Sequence, residues 1–150
     1  MFNACSIANK LCELHNLLYE SCYDYILISK SWLSSMISDG LLDPQNKYIV
    51  MRYDRSSGRG GDVCVLIKKC HSVVRVTMAN TYADLEIVVF DILDVIPAVR
   101  FLSYTVPHIM TRMLKIMCIY LLTASLLILM KAIVVIVGDI NLPRITKLRL

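Results

Sequence analysis

The sequence has little of what marks a disordered or low-complexity chain. Its 150 residues include only five glycines and four prolines, and 57% of them are hydrophobic. The mean hydropathy is +0.60. This composition excludes an unfolded chain, because enough apolar surface is present to build a core. The length suits one domain, residues 1–150, better than two.

The sequence also has neither the pattern of a signal peptide nor closely spaced cysteine pairs. Residues 1–5 have neither the basic stretch nor the apolar segment that directs secretion. The six cysteines stand at irregular spacings without a C-x-x-C pair, and Cys70 directly precedes His71. The spacing therefore predicts reduced thiols in an intracellular protein and argues against a zinc site.

Charge is unevenly distributed along the chain. The net charge of +4 arises in the last fifty residues, which contain six lysines and arginines but only one acid, Asp139. Such a pattern differs from that of a uniformly basic nucleic-acid-binding protein. The most apolar stretch, 116–137, lies in the same region and carries one charge, Lys131. A membrane-spanning helix needs about twenty apolar residues. The sequence therefore leaves two interpretations open, which are membrane association through 116–137 and a buried helix over 109–130.

Hydrophobic periodicity predicts helices mixed with strands. Leucines at helical spacing predict a helix over 10–19, with Asn9 as its N-cap. Turn residues at 38–40 and 43–44 interrupt the apolar runs. The predicted strands are 23–29, 48–52, 63–67, 73–78, 85–90, 99–104 and 133–137. The order indicates an α/β or α+β domain with a mixed sheet, in which side chains at strand ends converge at one edge.

Several short strings follow one another in a recognisable order. They are Phe2-Asn3-Ala4-Cys5-Ser6, YILISKSWL at 25–33, GRGGDV at 58–63, YTVP at 104–107 and VGDINLP at 137–143. In this order the chain resembles the endonuclease/exonuclease/phosphatase superfamily, and within it the endonuclease domain of non-LTR retrotransposon polyproteins. The resemblance runs through the whole chain and covers about the first two-thirds of such a domain.

The resemblance implies a fold and a chemistry. The fold would be a partial four-layer α/β-β/α sandwich with mixed sheets, its C-terminal third missing. Members of the family use a divalent cation, usually Mg²⁺, to hydrolyse phosphate esters, and the retroelement members act on DNA. Oxygen ligands hold such a cation against the phosphate, and a carboxylate orients the attacking water.

Four residues match functional positions of the family. Asn3 matches the asparagine that supports the metal and the phosphate, and Tyr104 matches a tyrosine that contacts phosphate. Asp139 and Asn141 match the pair that orients the nucleophilic water and the phosphate. Taken alone, Asp139 and Asn141 would also suit a turn after a strand, because both residue types are favoured there.

The match fails where the metal would bind. Lys30 occupies the position of the metal-binding glutamate, so a positive charge replaces a ligand. The arginine expected after Tyr104 is replaced by Thr105-Val106-Pro107, and the family's later Asp and its Ser-Asp-His segment would fall beyond Leu150. These departures predict a catalytically inactive remnant of a metal-dependent DNA endonuclease, with vestigial site residues. It would bind no Mg²⁺, no small-molecule cofactor, and DNA weakly or not at all.

Two alternatives remain open from the sequence. One is a small membrane-associated protein that uses 116–137, and the other is a non-catalytic nucleic-acid-binding module. Trp32 is interpreted as a core anchor beside the site, Arg55, Arg59 and Lys68-Lys69 as a solvated hairpin, and the histidines as surface or satisfied residues.

If the resemblance holds, strand ends bring one set of residues to a common rim, with Lys30 close to Asp139. That set is Asn3, Lys30, Tyr104, Asp139 and Asn141.

Overall fold

Two four-stranded sheets pack face to face in the computed structural model, which describes residues 2–20, 22–54, 62–77, 86–105 and 133–139. The helical elements are a 3-10 turn at Ala8–Lys10, α1 at Leu11–Glu20 and α2 at Asp39–Leu42. The strands are β1 (Phe2–Asn3), β2 (Tyr25–Ser29), β3 (Tyr48–Tyr53), β4 (Val63–Lys68), β5 (Val73–Arg75), β6 (Glu86–Ile92), β7 (Val99–Thr105) and β8 (Ile133–Asp139).

Both sheets are mixed. Sheet A has the order β1-β2-β4-β3, and sheet B has the order β5-β6-β7-β8. Each sheet contains one parallel pair, β1 with β2 and β7 with β8, and its other pairs are antiparallel. The predicted α/β architecture with mixed sheets is therefore confirmed.

The core between the sheets follows the two-residue period of the strands. Leu27 and Val65 of sheet A pack with Val88 and Phe90 of sheet B, and the rings of Phe90 and Phe101 stack with centroids 5.2 Å apart. Residues two positions further along a strand face the same side. At one end of the core, the strand positions that face the other sheet are therefore occupied by buried polar residues: Ser29, Glu86, Ser103 and Thr105.

Helix α1 covers the other face of sheet A. Its Leu14 and Leu18 are buried against Ile26 and Ile28, as the leucine spacing predicts. The assignment of Asn9 as the N-cap is wrong, because Asn9 lies inside the 3-10 turn that leads directly into the helix. Such turns commonly precede α-helices, so the helical backbone begins before Asn9.

Other predicted boundaries shift by a few residues. The turn predicted at 38–40 is wrong in part, since Asp39 and Gly40 begin the short helix α2. Strand β5 ends at Arg75, earlier than the apolar run suggests.

The predicted helix over 109–130 lies outside the described residues, and the last five residues of 116–137 belong to β8. Among the described helices, none combines the length and the apolar character needed to cross a membrane.

Candidate functional site

The carboxyl ends of four strands meet at one edge of the molecule. In sheet A, β1 and β2 run parallel with Asn3 level with Ser29, and in sheet B, β7 and β8 run parallel with Thr105 level with Asp139. The backbone carbonyl of Asp62 joins the two sheets here. It accepts a hydrogen bond from the Ser31 N–H at 3.5 Å and one from the Thr105 hydroxyl at 3.4 Å. We call this edge the rim: Asn3, 29–31, Asp62, Glu86, 104–105 and Asp139.

Glu86 is a rim residue that the sequence patterns do not reveal. It is only 3% exposed, and its Oε2 accepts a hydrogen bond from the Asp62 N–H at 2.8 Å. A buried carboxylate is tolerated only when it is hydrogen-bonded or paired, so this bond fixes the segment that enters β4. The one available signal is a single acid inside the apolar run of 85–90.

Hydroxyl groups add further polarity beneath the rim. The side-chain oxygens of Ser29 and Ser31 are buried, and neither finds a hydrogen-bond partner within the described part of the chain. Buried hydroxyls without partners are uncommon and suggest a ligand or solvent contact. The rim therefore has hydrogen-bonding capacity that the described protein groups leave unused.

The backbone at the rim is strained. Among the described residues, six other than glycine have a positive φ. Five of them follow β1, follow β2 or precede β4: Cys5 (46°), Ser6 (93°), Lys30 (53°), Trp32 (52°) and Asp62 (66°). For residues with a β-carbon this conformation costs about 1–2 kcal/mol each, and such residues concentrate at functional sites.

Lys30 stands directly after β2, at the position that the resemblance assigns to a metal-binding glutamate. Its carbonyl accepts a hydrogen bond from the Ser6 N–H at 3.1 Å, which ties the chain after β2 to the chain after β1. An ammonium group offers no lone pair to a cation. At the rim, the described side chains also form no group of three that could hold a metal ion. The described rim residues therefore do not fit a Mg²⁺ site of the family kind.

Asn3 and Tyr104, two of the residues that the resemblance matches to family positions, both lie at the rim. Asn3 ends β1, and its Oδ1 accepts a hydrogen bond from the Cys5 thiol at 3.3 Å. Tyr104 is buried on β7 beside Gly138 of β8. A β-carbon on Gly138 would come within 2.5 Å of the Tyr104 ring, so only glycine fits there.

Other predictions have mixed outcomes. Asp139 is the last residue of β8, and its backbone lies at the rim. Asn141, and with it Arg55 and Arg59, lies outside the described residues, and the proximity of Lys30 to Asp139 stays a prediction. The interpretation of Trp32 as a core anchor is wrong: it is 41% exposed, and its neighbour Leu33 takes the buried position.

Arg52 holds the loop that follows the rim. Its guanidinium donates to the carbonyls of Ser34 (2.9 Å) and Ile37 (2.7 Å), and its Nε donates to Asp54 at 2.9 Å. Burial lowers the pKa of Arg52, but the hydrogen bond and charge of Asp54 outweigh this effect and leave the pKa raised. Arg52 is therefore a permanent cation that positions residues 34–37.

No protein-family model and no curated protein matches the sequence. Solved structures do resemble the fold. The D. rerio TDP2 structure, complexed with a single-strand DNA product, matches with a TM-score of 0.61 at 13% identity over 92% of this chain. The 3' phosphatase NExo from Neisseria, bound to a product DNA hairpin, matches with a TM-score of 0.62 at 13% identity over 94% of this chain.

A third structure, truncated Caenorhabditis elegans TDP2, matches with a TM-score of 0.54 at 15% identity over 91% of this chain. All three are enzymes of the endonuclease/exonuclease/phosphatase fold. This chain therefore has a fold similar to theirs, and it spans 56% of the length of each.

Proposed function

We propose that the chain is a domain of endonuclease/exonuclease/phosphatase type, derived from a retroelement DNA endonuclease, that does not carry out metal-dependent hydrolysis. The observation that carries this proposal is the position of Lys30, directly after β2 at the rim. The similarity of fold to DNA-bound phosphoesterases supports DNA as the ancestral substrate.

The physical argument is electrostatic. Family members hold a divalent cation against the scissile phosphate, where it stabilises the charge of the leaving oxygen. Unit charges about 4 Å apart interact with roughly 4 kcal/mol near a protein surface, and a divalent ion doubles that figure. An ammonium at position 30 therefore opposes Mg²⁺ at the place where the family supplies a carboxylate.

A second candidate function is a non-catalytic nucleic-acid-binding module. The same Lys30 favours it, because an ammonium can bind a phosphate group directly and needs no metal ion to do so. The buried hydroxyls of Ser29 and Ser31 lie on either side of Lys30 in the sequence. In this second function the rim binds phosphate without hydrolysing it.

The first experiment is plasmid nicking by the purified chain in Mg²⁺ or Mn²⁺. We expect no metal-dependent nicking above that of the Asp139→Ala variant. Robust nicking by the unmodified chain, abolished both by EDTA and by Asp139→Ala, would overturn the proposal.

The second experiment asks whether Lys30 excludes the metal. Binding of labelled duplex DNA is followed by fluorescence anisotropy in Mg²⁺ and in EDTA at equal ionic strength. The unmodified chain should give the same affinity in both, and Lys30→Glu should bind DNA more weakly in EDTA than in Mg²⁺. Lys69→Glu makes the same charge change away from the rim and should show no such Mg²⁺ dependence. Equal behaviour of the two variants would contradict the assignment of Lys30.

A further inference from the structure

Three side chains with metal-binding groups meet at the opposite end of sheet A from the rim. Asp24 precedes β2, and Cys70 and His71 follow β4. The two strands are antiparallel, so the start of β2 lies beside the end of β4. One ligand atom from each of the three side chains lies within 4.8 Å of the other two.

The imidazole of His71 is held in a defined orientation. Its Nδ1 is 2.8 Å from Oδ2 of Asp94, and Oδ1 of Asp94 accepts a hydrogen bond from the Ser72 N–H at 3.3 Å. The ring of Tyr25 stacks on the imidazole with centroids 4.7 Å apart. Metal-binding histidines usually donate their second ring N–H to a carboxylate in this way.

The other ring nitrogen of His71 lacks a partner among the described groups. A carboxylate beside Nδ1 favours the tautomer with its proton on Nδ1, which leaves a lone pair on Nε2. Nε2 is buried and makes no hydrogen bond to any described group. An ordinary surface Asp–His pair would leave this nitrogen in contact with water, whereas a cation would use its lone pair.

The remaining two groups are accessible to a cation. Cys70 and Asp24 are exposed, and Asp24 uses Oδ1 to pair with the Lys68 ammonium at 3.0 Å. Its Oδ2 can therefore serve as a ligand. The Lys68 ammonium opposes a bound cation, as Lys30 does at the rim, but at this site a thiolate and a carboxylate are both present to offset its charge.

We propose that Asp24, Cys70 and His71 bind Zn²⁺, with Asp94 as a positioning residue for His71. A mixed sulfur, nitrogen and oxygen set suits this ion, which accepts four tetrahedral ligands and can keep a water as the fourth. With metal–ligand bonds of about 2.0–2.3 Å, the ligand atoms would approach to roughly 3.5 Å, a change that side-chain rotation can supply.

The site is independent of the proposed function. Strand β2 separates Asp24 from Lys30, and five residues at about 3.4 Å each place the two ends roughly 17 Å apart. Loss of zinc binding would therefore say nothing against the interpretation of the rim, and DNA nicking would say nothing against the zinc site.

The test is titration of the full chain with Co²⁺, followed by competition with Zn²⁺. Co²⁺ bound by a thiolate in a tetrahedral site gives charge-transfer and d–d absorption bands, and Zn²⁺ should displace it. Cys70→Ser should abolish the charge-transfer band. Asp94→Asn should weaken Zn²⁺ binding by roughly 10- to 100-fold while the band remains. Cys12→Ser removes an exposed cysteine of α1 and should leave both unchanged.

Alkylation of the cysteines provides a second readout. Zn²⁺ should slow the modification of Cys70 in the unmodified chain and leave Cys5 and Cys12, which are exposed elsewhere, at their original rates. His71→Gln should remove this protection. Absence of the charge-transfer band, or equal protection of all three cysteines, would overturn the proposal.

Discussion

The two ends of β2 present two different kinds of site. At the carboxyl end, Lys30 lies in a strained loop, and buried polar groups such as Glu86 bond to the backbone. At the amino end, Asp24 meets Cys70 and His71 through exposed or half-buried side chains. The geometry of the rim is set by the backbone and by buried groups. The geometry of the other end is set by a few exposed or half-buried side chains that the strands bring together.

Two cysteines illustrate the same contrast. Cys64, on β4 near the rim, is fully buried, and desolvation raises the pKa of its thiol to about 12. It therefore stays protonated and unreactive at neutral pH. Cys70, just beyond the other end of β4, is exposed and accessible to a reagent or an ion.

Both ends of β2 depend on the same core, and the substitution with the largest expected effect destabilises both. Phe90→Ala removes a fully buried ring from between the sheets, and we expect the free energy of unfolding to fall by about 3–5 kcal/mol. Urea denaturation followed by circular dichroism measures this change. Leu93→Ala, at a half-exposed position nearby, should change it by less than about 0.5 kcal/mol. A small effect of Phe90→Ala would mean that the sheets are held together elsewhere.

A second, smaller effect should be confined to the rim. In Gly138→Ala, the new methyl group would lie 2.5 Å from the Tyr104 ring and 2.6 Å from the Tyr104 carbonyl oxygen. Overpacking of this kind costs about 1–3 kcal/mol, which urea denaturation would detect.

The chain offers a matched control for that substitution. An added β-carbon on Gly40 would meet only the Ser38 hydroxyl, at 4.0 Å. Gly40→Ala in helix α2 should therefore be neutral or stabilising. If both alanine variants lose the same stability, the close approach of β7 to β8 at Gly138 is not the cause.

Much of the rim is predictable because its residues lie next to strands with clear patterns. Apolar runs locate β2 and β4, so the sequence alone assigns Lys30 and Asp62 to strand ends. The interpretation of Trp32 failed because hydrophobicity does not reveal a positive φ, which here accompanies an exposed ring. Glu86 was missed because one acid in an apolar run has no distinctive spacing.

The opposite end of β2 is not predictable from spacing. Asp24 is separated by more than forty positions from Cys70, and Asp94 lies still further along the chain. The antiparallel register of β2 with β4 brings the first two together, and the chain that follows β6 carries Asp94 to His71. Register of this kind depends on the packed core and cannot be predicted from a local sequence motif.

The smallest predicted effect concerns the charge of Asp94. The hydrogen bond from His71 lowers the pKa of this carboxyl below its usual 3.8. The charged form therefore stabilises the folded chain above about pH 3.8, and this contribution is lost as the pH falls through the lower, folded-state pKa. In EDTA, Asp94→Asn should make the urea midpoint fall less steeply between pH 5 and pH 2 than it does in the unmodified chain. An unchanged acid slope in Asp94→Asn would show that the His71–Asp94 bond does not persist in solution, and the exposed end of β2 would then lack the fixed imidazole that distinguishes it from the rim.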